Sequence, residues 1–442
     1  MRKVITYGTF DHLHQGHINI LKRAKQLGDY LIVGVTSDNF DMKRGKINVS
    51  QSLYKRIQNV SETGLADEII VEEYEGQKID DIIKFKIDTF VVGSDWIGKF
   101  DYLNDYCKVV YLERTEGVSS TQIRSESNKI KIGIIGNAPI VRKFYIESQY
   151  VNGVEISGTY DNKDEYILKN GCPSFKTIED LIKNSDAVYV CSKAASHFKH
   201  AEQVLNGGKH CIIASPLSLN KNELEKLYKI SEKNNLVLME GNKTAYSTSF
   251  YRMILLVKGG VIGDVISINS TCTSLEKRQY SEDIKEAYQG SFLEWVPTAI
   301  LPIFKILGTD YNDVKIISKF DNENKFIDNF SQLFFVYGNS CANVVLGSGV
   351  KSEGELIISG TKGYIYVPAP RWKSEIFEIR FEDPSKKKVY YYRNDGEGLR
   401  YQIAAFADAL NKQYGYHFIT KKESMALVEL IDKFMKREYI KI

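Results

Sequence analysis

The chain has 442 residues, 43% of them apolar and 26% charged, with a formal net charge of +3. That length exceeds what one core organises, so two or three domains are expected, and the balanced, dispersed charge gives no case for a nucleic-acid or membrane partner. The six cysteines (Cys107, Cys172, Cys191, Cys211, Cys272 and Cys341) have no paired spacing, and no apolar run reaches spanning length, so a reduced, cytoplasmic chain is expected. Met1-Arg2-Lys3 runs straight into a strand, which leaves no room for a secretory leader.

Val4-Ile5-Thr6-Tyr7 reads as a buried strand and Ile18 to Ala24 as the helix after it. Between them lies Tyr7-Gly8-Thr9-Phe10-Asp11-His12-Leu13-His14-Gln15-Gly16-His17. Three of the chain's seven histidines crowd into this turn. A strand-to-helix junction presents free N–H groups and the positive end of the helix dipole, which favour an anion. Paired imidazoles at His14 and His17 can carry the negative charge that builds on a phosphate during displacement. Gly16 leaves the ligand space open where a side chain would fill it. No cysteine or further histidine follows at ligand spacing, which argues against zinc.

Further strands are expected at Leu31–Val35, Glu68–Val71, Thr89–Gly93 and Lys108–Leu112, alternating with helices, so this first part is a parallel sheet covered on both faces. The polar run Ser125 to Lys129 reads as a linker. Ile130 to Gly136 opens a second alternating pattern that runs to about residue 247. Strand-like runs (Val265–Ser270, Leu333–Tyr337, Glu355–Ser359) then suggest a large antiparallel sheet, closed by a helix from about Ser424.

The turn from Tyr7 to His17 resembles the signature of the cytidylyltransferase family, in its glycerol-3-phosphate cytidylyltransferase-like branch. The likeness extends over Gly28-Asp29-Tyr30, Gly93 to Asp101, and the second nucleotide block Arg114-Thr115-Glu116-Gly117-Val118-Ser119-Ser120-Thr121. The resemblance implies transfer of CMP from CTP to a small polyol phosphate, for wall or capsule polymers. It implies that His14, His17, Lys46 and Arg114 carry the reaction. Thr9, Phe10, Asp11, Gly16, Arg44, Asp95, Trp96, Thr115, Ser119, Ser120 and Thr121 would line the nucleotide site, with Asp11 as the magnesium contact. Gly64 stands where the family has a basic residue, and an extra residue lies near Ile47 to Ser50; Arg56 is the cation left to compensate on the acceptor side. An adenylyltransferase shares the His-x-Gly-His turn but not the Arg114 to Thr121 block.

From Ile130 the chain resembles the glucose-fructose and inositol dehydrogenase-like oxidoreductases, which bind NAD(P) on a Rossmann domain. Gly136, Asp161 and His197 are the cofactor candidates, with Gly207-Gly208 and Val237 to Gly241 as further marks. The working parts are altered. The glycine fingerprint reads Gly136-Asn137-Ala138-Pro139-Ile140-Val141, the expected catalytic lysine is replaced in Ala214-Ser215-Pro216, and Thr298 stands where a proton donor is usual. Lys243 is the candidate replacement.

The reading is an α/β chain: a doubly wound nucleotidyltransferase domain over 1–128, a Rossmann-type domain over 129–247, and an α+β domain over 248–442 with a large, mostly antiparallel, open-faced sheet. It takes CTP and a polyol phosphate and forms a homo-oligomer. The second half is a degenerate oxidoreductase, with two alternatives: a reductase that makes the polyol phosphate, or a binding and oligomerisation module. A regulator without enzymatic activity is the remaining class.

Overall fold

β1 (Lys3–Gly8) buries Val4 on one face of its sheet and Ile5 on the other, and neither is exposed. Both faces therefore need cover. The structure is a computed structural model that describes the chain apart from residues 44–48, 50, 52, 75, 114–128, 276–288, 323–326, 374, 393, 395 and 413–417, and only the backbone of 39, 42, 43, 289, 411 and 412. The linker expected at Ser125 to Asn128 lies outside the described residues. The chain divides into two compact units, Met1–Lys129 with Tyr150–Gly153, and Ile130–Gln149 with Val154–Ile442.

In the first unit β1 leads to α1 (Gln15–Lys25), β2 (Tyr30–Thr36), α2 (Asp38–Lys43), α3 (Leu53–Glu62), β3 (Glu68–Glu72), α4 (Gln77–Phe85), β4 (Thr89–Gly93) and β5 (Lys108–Leu112). The strands pair in parallel in the order β3-β2-β1-β4-β5. Val4, Leu31, Val33 and Val91 pack with Leu21 and Ala24 of α1 and Val60 of α3. Ile5, Ile32 and Phe90 pack on the opposite face with Ile82 of α4 and with Leu103. Each such side chain contributes about 1.5–3 kcal/mol when fully buried. The order reverses between β1 and β4. At such a switch point the loops leaving the carboxyl ends diverge and open a crevice.

The second unit begins with β6 (Ile130–Ile135), α5 (Ile140–Ser148), β7 (Val154–Tyr160), α6 (Glu165–Lys169), α7 (Ile178–Lys183), β8 (Ala187–Val190), α8 (Ala194–Asn206), β9 (His210–Ala214), α9 (Lys221–Lys233) and β10 (Leu238–Gly241). Its parallel sheet runs β10-β9-β8-β6-β7, again with a switch point, between β6 and β8. Then follow α10 (Thr248–Lys258), β11 (Val265–Ser274), β12 (Gln289–Gly290), α11 (Ser291–Leu307), β13 (Asp313–Phe320), β14 (Ile327–Val336), β15 (Cys341–Ser348), β16 (Leu356–Gly360), β17 (Tyr364–Val367), β18 (Ile376–Arg380), β19 (Lys388–Tyr391), α12 (Leu399–Lys412), α13 (Lys421–Met435) and β20 (Ile440–Lys441). Among the described residues these strands make a ten-stranded sheet, mostly antiparallel but with β11 parallel to β15, β12 to β14 and β13 to β20.

Two boundaries differ from expectation for a local reason. α13 starts at Lys421, earlier than Ser424, because Thr420 and Glu423 close a capping box on its first turn. β14 begins at Ile327, well before Leu333, because pairing with β13 and β15 holds a polar stretch (Asp328, Asn329, Ser331, Gln332) that has no apolar alternation of its own.

Gly136 ends β6 with φ +115°, and a Cβ there would stand 2.5 Å from the Cys191 carbonyl oxygen. Gly136→Ala is therefore expected to destabilise the second unit by at least about 1–3 kcal/mol, read as a lower denaturation midpoint of the full chain.

Candidate functional site

The crevice of the first unit is bordered by the loop after β1. Phe10 and His12 both take left-handed backbone conformations there (φ 53° and 46°), a strain found at functional turns. Phe10 is buried, folds back over Gly8, and meets the His17 ring edge-on with centroids 5.4 Å apart. His14 is the N-cap of α1. Its Nδ1 accepts the Gly16 N–H at 3.1 Å, so helix α1 starts earlier than the apolar periodicity from Ile18 suggests. An accepting Nδ1 places the proton of the neutral ring on Nε2, which makes that nitrogen a donor. The His14 and His17 rings stack with centroids 3.9 Å apart and an interplanar angle of 22°. The two imidazoles thus act as one group at the start of α1.

Asp11 is fully buried and its Oδ1 accepts the backbone N–H of Gln51 at 3.0 Å, while the His12 N–H donates to Gln51 Oε1 at 3.0 Å. These bonds bring the far end of the segment after α2 back against the phosphate turn. Arg44 and Lys46, expected on that segment, lie outside the described residues. Asp11 therefore ties two loops together. Among the described residues no group of three His, Cys, Asp or Glu side chains could hold a metal ion.

Thr9 donates to Asp41 at 2.8 Å, and Thr36 donates to the other oxygen of Asp41 at 2.5 Å. Behind them Arg56 is fully buried. Its Nη1 donates to the carbonyls of Thr9 and Thr36 (2.7 and 2.8 Å), its Nε to the Gln51 carbonyl (3.0 Å), and its Nη2 to Asp38. The expectation that Arg56 supplies acceptor-side charge is corrected by this: its donors are spent on the carboxyl ends of β1 and β2.

The loop after β4 carries the exposed Asp95 and the half-buried Trp96, which packs on Phe100 with centroids 5.8 Å apart. Arg114, Thr115, Ser119, Ser120 and Thr121 lie outside the described residues. Glu113, just after β5, has its carbonyl held by Arg23 of α1 at 2.7 Å, so the end of β5 lies beside the histidine helix.

Among the described residues of the first unit, one further buried cation lies outside any sequence motif. Lys78 of α4 is buried, pairs with Glu72, and stands 4.7 Å over the Tyr7 ring and 5.5 Å over Phe100. Burial and the adjoining Asp81 carboxylate, which accepts the phenol hydrogen at 2.8 Å, push the Tyr7 phenol well up. The signal was present: Lys78 falls on the same helical face as Ile82 and Phe85, where an apolar residue is the rule.

In the second unit the dinucleotide candidates have other partners. The Asn162 amide donates to the Gly136 carbonyl at 2.8 Å, and Asn137 Oδ1 accepts the Lys163 N–H at 3.0 Å. At the start of α5, Pro139 has no N–H, and that of Val141 is taken by the Ala138 carbonyl at 2.9 Å. Of the backbone positions at this helix start, Pro139 thus offers no donor and the Val141 N–H is spent within its own turn. Asp161 is exposed with φ 53°. His197 is buried with its ring nitrogens 2.8 Å and 2.9 Å from the carbonyls of Pro216 and Ser192, and burial pushes its pKa down. Ser215, at the expected lysine position, donates to the buried Glu240, which Ser424 also bonds; burial raises that carboxyl. Ser215 and Glu240 thus hold each other at the position where the oxidoreductase resemblance implies a lysine.

Arg56→Met would leave Asp41 buried without its cation. It is expected to cost about 3–5 kcal/mol, read as lost hydrogen-exchange protection of the amides of β1 and β2.

Residues 5–126 match the cytidylyltransferase-like family, and residues 130–242 match the oxidoreductase family with an NAD-binding Rossmann fold. The glycerol-3-phosphate cytidylyltransferase of Bacillus spizizenii is 53% identical over 127 residues, covering 28% of this chain and 97% of the relative. That of Staphylococcus aureus is 47% identical over 129 residues, covering 28% and 95%. The second unit shares its fold with KijD10, a 3-ketoreductase from Actinomadura kijaniata solved with NADP and TDP-benzene. The TM-score is 0.62 at 19% identity, over 71% of this chain and 99% of that one.

Proposed function

The chain belongs, through its first 127 residues, to the cytidylyltransferase family, and we propose that it transfers CMP from CTP to a small polyol phosphate, giving a CDP-polyol and pyrophosphate. The observation that carries this reading is the stacked His14–His17 pair at the N-terminus of α1, set at the switch point between β1 and β4. An oxygen of the acceptor phosphate attacks the α-phosphorus, the bond to the β-phosphate oxygen breaks, and pyrophosphate leaves. The attacking oxygen is already anionic near neutral pH, so the protein needs donors and positive charge rather than a base. His14 Nε2 supplies a donor, and the positive end of the α1 dipole favours the triphosphate. Lys46 and Arg114 supply charge to the triphosphate. Lys78, on the opposite side of β1 from the Arg56 network, serves the acceptor end, a role in keeping with the absence of an arginine at Gly64.

The second unit has an oxidoreductase fold whose working parts are changed. The lack of an N–H at Pro139, the Val141 N–H taken within its own turn and the Ser215–Glu240 contact support a role other than hydride transfer. The exposed Phe334 and Val336 on the open face of the large sheet support a homo-oligomer.

His14→Ala or His17→Ala is expected to lower turnover at least about 100-fold, measured as pyrophosphate release with CTP across a panel of polyol phosphates. Near-normal turnover, or release from ATP in preference to CTP, would overturn the assignment. Lys78→Met is expected to raise the KM for the acceptor by about tenfold or more while leaving that for CTP nearly unchanged, as steady-state kinetics with either substrate varied would show.

A further inference from the structure

A cavity of about 320 Å³ in the second unit lies between the segment after β10, the turn after β17 and the loop before α12. Its volume sits at the low end of ligand pockets, which run from about 300 to 1,000 Å³, and suits a small molecule rather than a dinucleotide. The wall includes Lys243, Arg371, Trp372, Lys373 and Glu397. Arg371 is only 3% exposed; its Nη2 donates to the Thr298 carbonyl at 3.0 Å and to Cys272 Sγ at 3.1 Å, and its Nε has no hydrogen-bond partner.

Positive charge is in excess here. Glu397 lies 3.1 Å from Lys143 Nζ and 3.7 Å from Lys243 Nζ, and Lys243 also donates to the Glu397 carbonyl at 3.0 Å. The hydrogen bond from Lys143, helped by the charges of Lys373 and Lys243, holds the Glu397 carboxyl below its usual range. The other wall carboxylate, Glu375, is engaged by the Asn394 N–H at 2.8 Å. Burial pushes the Lys243 ammonium down, and the neighbouring Lys143 and Lys373 push it further, against the pull of Glu397. Lys143, Lys243 and Lys373, beside the buried Arg371 guanidinium, outnumber the Glu375 and Glu397 carboxylates, with nearby Glu147 already held by Arg400, and form a donor set short of an acceptor. A dianionic phosphate supplies both missing charge and missing acceptors, and Glu397 remains to accept from hydroxyl groups.

We propose that this cavity binds a small phosphate monoester of a polyol, the phosphate held by Lys243, Lys373 and Arg371. The site is one of recognition, with no bond made or broken. It stands independently of nucleotidyl transfer in the first unit.

The chain's three tryptophans allow a separate readout, because Trp372 lines this cavity and Trp295 packs on it with ring centroids 4.7 Å apart, while Trp96 is in the first unit. The full-length Trp96→Phe protein is titrated with inorganic phosphate, glycerol 3-phosphate, glycerol and NADPH while tryptophan fluorescence is followed. Saturable changes with phosphate and glycerol 3-phosphate, and none with glycerol, are expected. Lys243→Met and Lys373→Met, each added to that background, should weaken glycerol 3-phosphate binding by at least about tenfold. Lys373 is exposed, so its variant keeps the test valid should Lys243→Met fail to fold. Flat titrations with both phosphates, an equal response to glycerol, a response to NADPH alone, or unchanged affinity in the Lys373 variant would overturn the proposal.

Discussion

The guanidinium of Arg56, sealed from solvent, donates to the carbonyls of Thr9 and Thr36 and pairs with Asp38 and Asp41. A charge in that position is tolerated only when its donors are matched, and here the matching groups are the carboxyl ends of two neighbouring strands. The consequence reaches the phosphate turn. With Thr9 held from below by Arg56 and from the side by Asp41, the chain has little freedom before Phe10 and His12 adopt their left-handed conformations. That strain is supported by the network around it, and it sets His14 at the first turn of α1, where its side chain caps the helix.

The two units reuse one architectural device with different outcomes. Each has a parallel sheet whose strand order reverses, and each sends a loop from its first strand into a helix at that reversal. In the first unit the helix is capped by a histidine whose Nδ1 accepts the Gly16 N–H, which turns the hydrogen of the neutral ring to Nε2. In the second it begins with a proline and an amide already bonded to its own turn. The backbone path is shared, and the difference lies in a few donors. The positive charge of the second unit has moved elsewhere, to the small cavity around Lys243 and Lys373.

Period-two and near-continuous apolar runs made the strands legible, since Val4, Ile5, Leu31, Ile32, Phe90 and Val91 are fully or almost fully buried and have no other explanation. The histidine turn was legible too, because residue type, glycine and strand-to-helix context coincide in a short window. Arg56 was misread for an instructive reason. An arginine on an amphipathic helix looks the same in sequence whether it faces a ligand or a buried carboxylate. Lys78 was overlooked because a lone lysine carries no motif, although its place on the apolar face of α4 was the clue.

By itself the sequence determined the fold classes, the order of the two families and the crowding of histidines at the first strand-to-helix turn, because these follow from local periodicity and from residues adjacent in the chain. The tertiary structure alone decided which cations are spent and which are in surplus. Arg56 is neutralised by groups drawn from other elements of its unit, whereas Lys243 meets Arg371 and Lys373 of a distant segment at one cavity. Charge balance at a site is a sum over residues distant in sequence, and only folding brings its members within the few ångströms over which they interact.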